Sequence, residues 1–362
     1  MSSTSPLGSA VRALVAIDYR RTFLALALGG VGGALFAWAG LPLAWMIGAM
    51  LFTSASAIAG LPVEVPKGLR SFMVMVLGIM LGSAFDPTIL NQAGQWVATL
   101  SGLVFYIAIC AGLGFLFLRR TAGYDPVTSY FTAMPGGLNE MVLIGSTLGG
   151  DERSIALSHS ARIMLVVFTV PVWFQFIGGV DGGTRGPLGP ALGALGLSDY
   201  LLLALSAVGA PVAKWLRMPA GVLVGPMVLS AVIHLSGLTD GRPPGVLVAA
   251  AQVVVGAFIG CRFRGIGLKE LARIVLVAAG LTALLLGITV GFALGLHTLT
   301  GIGIPDLILA YAPGGLAEMS LVALALDVDA AFVSLHHIAR IVIIVTFAPG
   351  AFLLARRLAT RS

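Results

Sequence analysis

Apolar residues fall in long blocks along this chain, divided by short polar or Gly/Pro-rich breaks. The blocks cover roughly 22–40, 42–60, 68–85, 96–118, 126–149 and 154–176. After a Gly/Pro-rich stretch at 178–196 come 199–216, 219–237, 244–261, 274–299, 306–326 and 330–354. A helical run of about 20 apolar residues matches the hydrocarbon thickness of a bilayer. The short alternating strands of a membrane barrel are not seen. The pattern predicts an all-α polytopic membrane protein with six segments, a linker and six more.

The two sets are related. Shifted by 178 residues, Pro135-Gly136-Gly137-Leu138 falls on Pro313-Gly314-Gly315-Leu316, Glu140-Met141 on Glu318-Met319, and Asp151 on Asp329. His159 falls on His337, Arg162 on Arg340 and Pro171 on Pro349. From Pro135 to Pro171, 16 of 37 positions match without a gap. Gly78 and Gly82 also fall on Gly256 and Gly260, a spacing suited to close helix packing. The chain therefore divides into an N-terminal segment 1–21, a first membrane repeat 22–178, a linker 179–198, a second repeat 199–355 and a tail 356–362.

Charge orients the copies. The loop after the third segment carries Asp86 in copy one but Arg262, Arg264, Lys269 and Arg273 in copy two. After the fourth segment the bias reverses, with Arg119-Arg120 against His297 and Asp306. Opposed bias in matching loops predicts inverted repeats under the positive-inside rule. Inversion needs an odd number of crossings per copy, so one of the six segments does not cross. The fifth is the candidate, because Pro-Gly-Gly interrupts it in both copies. Its arms, 127–134 and 138–149, are each about half a membrane long at 1.5 Å per residue. We expect two inverted repeats of about five transmembrane helices, each with one re-entrant Pro-Gly-Gly hairpin. A broken helix that crosses fully is the alternative. In the hairpin arrangement Arg20-Arg21, Arg119-Arg120, Lys214/Arg217, the Arg262–Arg273 cluster and Arg356-Arg357 share the cytoplasmic side. Both termini then lie in the cytoplasm.

Composition agrees. Hydrophobic residues make up 58% of the chain and charged ones 10%, against about 25% charged in soluble domains. The net charge of +6 sits at helix ends, with no basic domain to dock on nucleic acid. Cys110 and Cys261 have no metal spacing and predict no disulfide.

Non-helical backbone at membrane depth is tolerated where it lines a cavity or is buried in protein. Paired interrupted segments are the best sequence pointer to a transport site. That singles out Pro135, Gly136, Gly137 and Glu140 with Pro313, Gly314, Gly315 and Glu318. A carboxylate in a membrane segment is costly and usually functional. Glu140 and Glu318 either bind a cation or proton, pair with an arginine, or simply complement the dipole of the second hairpin arm. His159/Arg162 and His337/Arg340 lie three apart on one face of each copy's last helix. The arginines lie too deep to snorkel easily. They bind a substrate anion, or pair with the hairpin glutamates in a buried brace. Each histidine is either a titrating group or a hydrogen-bonded core residue. Asp151 and Asp329 are expected to cap the last helix of each copy.

The doubled Pro-Gly-Gly-Leu-x-Glu-Met motif, each copy followed by a His-x-x-Arg helix, resembles the AbrB-duplication family of bacterial membrane proteins over nearly the whole chain. Members carry labels as regulators of gene expression or as ammonia monooxygenases, so the resemblance implies architecture more than activity. A monooxygenase needs a copper or iron site, and the five histidines, His159, His234, His297, His336 and His337, form no evident cluster. The leading expectation is a secondary transporter of a small anionic or zwitterionic solute, coupled to a proton or cation and needing no cofactor. The alternative is a membrane-embedded regulator acting indirectly or through a partner; an oxidase is the weaker third. The expected partners are the bilayer, the solute, the coupling ion and a possible second copy of the chain.

Overall fold

The computed structural model describes residues 18–85, 89–176 and 188–359. The N-terminal residues 1–17, Asp86, most of the linker and the last three residues of the tail lie outside the described residues. Among those described there are helices and no strands. Copy one contains α1 (Tyr19–Trp38), α2 (Ala44–Ile58), α3 (Lys67–Gly82), α4 (Ile89–Thr121), α5 (Pro126–Ala133), α6 (Leu138–Thr147) and α7 (Glu152–Phe176). Copy two contains α8 (Leu197–Ser206), α9 (Gly209–Trp215), α10 (Gly221–Leu235), α11 (Gly245–Gly260), α12 (Leu268–Thr300), α13 (Ile304–Tyr311), α14 (Leu316–Ala325) and α15 (Ala330–Ala359). The 178-residue shift carries α3, α5 and α6 onto α11, α13 and α14 end for end. Copy two departs at its first helix, which breaks into α8 and α9. Pro211 supplies no N–H and clashes with the carbonyl four residues back, at Ala207, where the break lies.

Seven helical spans among the described residues are long and apolar enough to cross a membrane. Ten crossings were expected. The other three, α2, α3 and α10, have 15, 16 and 15 residues and reach only about 22–24 Å at 1.5 Å per residue; α2 and α10 share one cause. Both start late because the residue after a proline, Leu43 or Ala220, takes a left-handed backbone (φ 49° and 51°). Non-Gly residues adopt that conformation rarely, and it tends to cluster at functional sites.

The copies pack reciprocally. α3 runs along α10, with Gly78 against the Leu223 carbonyl and Gly82 against Met227 and Ser230. In the matching pair α11 runs along α2, with Gly256 against the Met46 carbonyl and Gly260 against Met50 and Thr53. A Cβ at any of these glycines would strike backbone or side chain, so glycine permits the close approach. The 33-residue helices α4 and α12 face each other. Gly102 meets Leu296, Tyr106 bonds Thr289 at 3.0 Å, Gly114 meets Leu281, and Phe117 meets Gly280. As one number rises the other falls, so these equivalent helices run antiparallel.

Charged contacts gather at one end of the bundle. There Arg21 meets Glu64 at 3.7 Å, Arg264 meets Glu64 at 3.5 Å, and Arg153 meets Glu270 at 3.1 Å. Arg273 donates to the Ala122 carbonyl at 2.8 Å. The start of α1, the α2–α3 and α11–α12 connections, the end of α4 and the start of α7 thus share one end.

Candidate functional site

The interrupted fifth segment doubles back in both copies. Phe131 on α5 packs on Gly145 of α6, and Val127 on Gly150. The mouths are closed by matched bonds: the Asp151 amide donates to Thr128 Oγ1 at 2.8 Å, and the Asp329 amide to Asp306 Oδ1 at 3.1 Å. Each segment is a helical hairpin, not a crossing helix with a kink. Asp151 and Asp329 also cap the following helices as expected, accepting from backbone amides at Arg153 and Ser154, and at Ala331 and Phe332.

The motif explains the turn. Gly137 and Gly315 are the N-caps of α6 and α14, and Glu140 and Glu318 hold the third helical position. Each carboxylate folds back over its glycine, so a Cβ there would collide with Oε2. Met141 and Met319 pack over Gly136 and Gly314 in the same way. The two glutamates stand at the capping-box position, three residues after a small cap residue. Neither N-cap glycine has positive φ (−65° and −81°), so contact rather than backbone freedom requires glycine here. Pro135 and Pro313 are buried in the tips.

Arg162 and Arg340 do not pair with the hairpin glutamates. Arg162 Nη1 donates to the Thr132 and Met134 carbonyls at 3.3 and 3.1 Å. Arg340 Nη1 donates to the Tyr311 and Ala312 carbonyls at 3.3 and 2.6 Å, and its Nη2 to the Gly314 carbonyl at 2.9 Å. The last turn of a helix leaves carbonyls without partners. A buried cation there both satisfies them and complements the helix dipole. The expected Glu–Arg brace is therefore an arginine–carbonyl brace. The guanidinium groups, 2% and 1% exposed, support the tips from behind. Each Nε remains buried without a hydrogen-bond partner.

His337 is a core residue with a fixed role. Arg340 Nη2 donates to its Nδ1 at 2.8 Å, so Nε2 carries the proton and donates to the Leu309 carbonyl at 2.9 Å. His159 Nδ1 bonds the Ile155 carbonyl at 3.0 Å. His336, which no repeat pattern marked, bonds Thr99 Oγ1 at 2.8 Å, next to where Tyr311 donates to the Thr99 carbonyl. His234 lies between the Ser230 and Gly241 carbonyls at 2.7 and 2.9 Å, far in sequence from the hairpins.

The glutamates are the groups left facing the tips. Glu140 Oε1 accepts from the Ala220 amide at 3.3 Å, joining hairpin one to the left-handed start of α10. Glu318 is 9% exposed. Arg70, in the first turn of α3, lies within electrostatic reach of both carboxylates. It was missed in the sequence because its repeat counterpart is Val248, so duplication does not mark it. The only signal was a lone arginine near the start of an apolar block. Each hairpin tip thus joins a carboxylate to a helix N-terminus, and Arg70 is a cation within electrostatic reach of both carboxylates. Among the described residues no three His, Cys, Asp or Glu side chains come together as metal ligands.

Residues 45–356 match the family model described as "Transition state regulatory protein AbrB". The chain is 26% identical over 357 residues to "Uncharacterized protein YhjN" of Bacillus subtilis (strain 168), covering 92% of each. It is 25% identical over 312 residues to "Putative regulator AbrB" of Escherichia coli (strain K12), covering 86% of this chain and 89% of that one.

Proposed function

The chain belongs to the AbrB family, and from that premise we propose that it is a secondary transporter built as two inverted repeats. The observation that carries this reading is the pair of matched hairpins, each with a carboxylate folded over its tip, Glu140 and Glu318, and both carboxylates within electrostatic reach of Arg70. The antiparallel register of α4 and α12 supports inversion, as do the opposed loop charges. The two hairpins then enter from opposite faces of a bacterial inner membrane and meet near its middle, with both termini cytoplasmic.

The substrate class follows from the groups at the tips. Because Arg162 Nη1 and both Nη groups of Arg340 donate to hairpin carbonyls, Arg70 is the cation we assign to an anionic group. Two carboxylates facing one guanidinium suit a small zwitterion, with its amine toward the glutamates and its carboxylate toward Arg70. A carboxylate that exchanges a proton as solute leaves would couple the two fluxes. No cofactor is required, and a second copy of the chain is compatible with the fold.

A regulatory role is the second reading, favoured by the printed names of the family and of the Escherichia coli relative. On the transporter reading, any effect on gene expression follows from the movement of a metabolite. Reconstituted vesicles loaded with a pH dye and challenged with a panel of zwitterionic solutes separate the two. Solute-dependent proton flux, lost in Glu318→Gln and reduced in Glu140→Gln, supports transport. Flux unchanged in both variants removes the glutamates from the mechanism. No flux with any solute in the panel favours regulation.

A further inference from the structure

A second concave site lies at the charged end of the bundle. A cavity of about 360 Å³ opens between the first turns of α7 and the connection from α11 to α12. Its wall carries three guanidinium groups, from Arg153, Arg262 and Arg264, over an apolar floor that includes Leu157 and Ile266.

Two of the three arginines are held by acids at the rim. Arg153 meets Glu270 at 3.1 Å, and Arg264 meets Glu64 at 3.5 Å, a carboxylate it shares with Arg21. Arg262 has no acidic partner among the described residues. Its guanidinium lies over the Phe258 ring at 5.2 Å, and Arg70 lies over the same ring at 4.7 Å. The ring face attracts both cations, but the two cations repel one another. The three guanidinium groups that line this cavity therefore meet two carboxylates, Glu270 and Glu64, and the surplus positive charge centres on Arg262.

Positive-inside bias accounts for cations near this face. It does not account for three of them lining one cavity. The wall is also absent from the duplicated scaffold: the 178-residue shift puts Ala331, Ala84 and Asp86 where Arg153, Arg262 and Arg264 stand.

We propose that this cavity binds a phosphate-bearing anion. Guanidinium groups match phosphate with paired, charge-assisted hydrogen bonds, and the volume lies at the small end of ligand pockets. The same group could come from an anionic lipid headgroup, which basic pockets between membrane helices recognise, or from a small soluble phosphate ester. The cavity lies beside Arg70 but shares no lining residue with the hairpin tips, and it does not depend on the transport reading.

The test uses the full chain in nanodiscs and follows thermal unfolding at constant ionic strength. One arm compares phosphatidylcholine discs with discs containing phosphatidylglycerol. The other titrates glycerol 1-phosphate into phosphatidylcholine discs. A rise in midpoint in the first arm assigns the cavity to lipid, and a saturable rise in the second assigns it to a soluble ester. In either case Arg262→Gln should weaken the apparent affinity about tenfold, the effect of losing a charge-assisted hydrogen-bond pair. No rise in either arm for the unmodified chain overturns the proposal, and so does an undiminished rise in Arg262→Gln. Should that variant fail to fold, Arg153→Gln, at the solvent edge, replaces it with the same expected loss.

Discussion

The two hairpins carry the same motif, yet one is open and the other enclosed. In α14 every residue from Leu316 to Ala323 is buried. In α6 only Met141 and Gly145 are, and Leu143 is 66% exposed. The sequences foreshadow this. Asn139, Ser146 and Thr147 on α6 stand where α14 has Ala317, Leu324 and Ala325. The braces differ as well: Arg162 makes two bonds to the tip of its hairpin, while Arg340 makes three and also holds His337. A Ser334–Ser320 bond of 2.8 Å adds a further tie to α14. Duplication supplied one device, and the copies then diverged into a tightly held hairpin and a loosely held one. Low local contact and high exposure mark the parts of a protein that open most easily. In the proposed cycle hairpin one is therefore the moving part and hairpin two the fixed one.

The braces offer the largest contrast. Arg340→Met strips donors from three buried carbonyls, and each orphaned group costs about 1–3 kcal/mol. We expect a loss of about 3–5 kcal/mol, or failure to accumulate folded protein. Arg162→Met orphans two carbonyls beneath a half-exposed helix and should cost about 1–3 kcal/mol. Thermal unfolding of both in one detergent measures the difference. Equal losses would mean that the hairpins are equally held.

The glycine caps give a smaller contrast. Gly315→Ala drives a methyl into the Glu318 carboxylate inside a packed site and should cost about 1–3 kcal/mol. Gly137→Ala meets Glu140, which is half-exposed and can swing away, so its cost should be under about 1 kcal/mol. The same unfolding assay reads both. A larger loss at Gly137 would reverse the assignment of fixed and moving hairpins.

Much of this is legible in the sequence. The doubled Pro-Gly-Gly-Leu-x-Glu-Met motif marked the hairpins because only a break that recurs at matching places stands out in an otherwise apolar sequence. Loop charges anticipated the antiparallel packing of α4 and α12. The partners of Arg162 and Arg340 were not legible. They are backbone carbonyls, which every residue carries, so no side chain announces them. Arg70 was hidden because it belongs to one copy only. α2 and α10 are shorter than the apolar blocks that predicted them, since a left-handed residue after a proline leaves no mark on hydropathy. The difference in burial between the hairpins was half legible, in the polar residues of α6, but only packing gives it its extent.

The central claim is that the two hairpins enter from opposite faces and meet. Single cysteines at Thr147, beside the mouth of hairpin one, and at Asp327, beside the mouth of hairpin two, test it in a Cys110→Ser/Cys261→Ser background. A membrane-impermeant thiol reagent is applied to sealed vesicles of known orientation. The account predicts that Thr147→Cys is labelled only from the cytoplasmic side and Asp327→Cys only from the other. Labelling of both from the same side would contradict it.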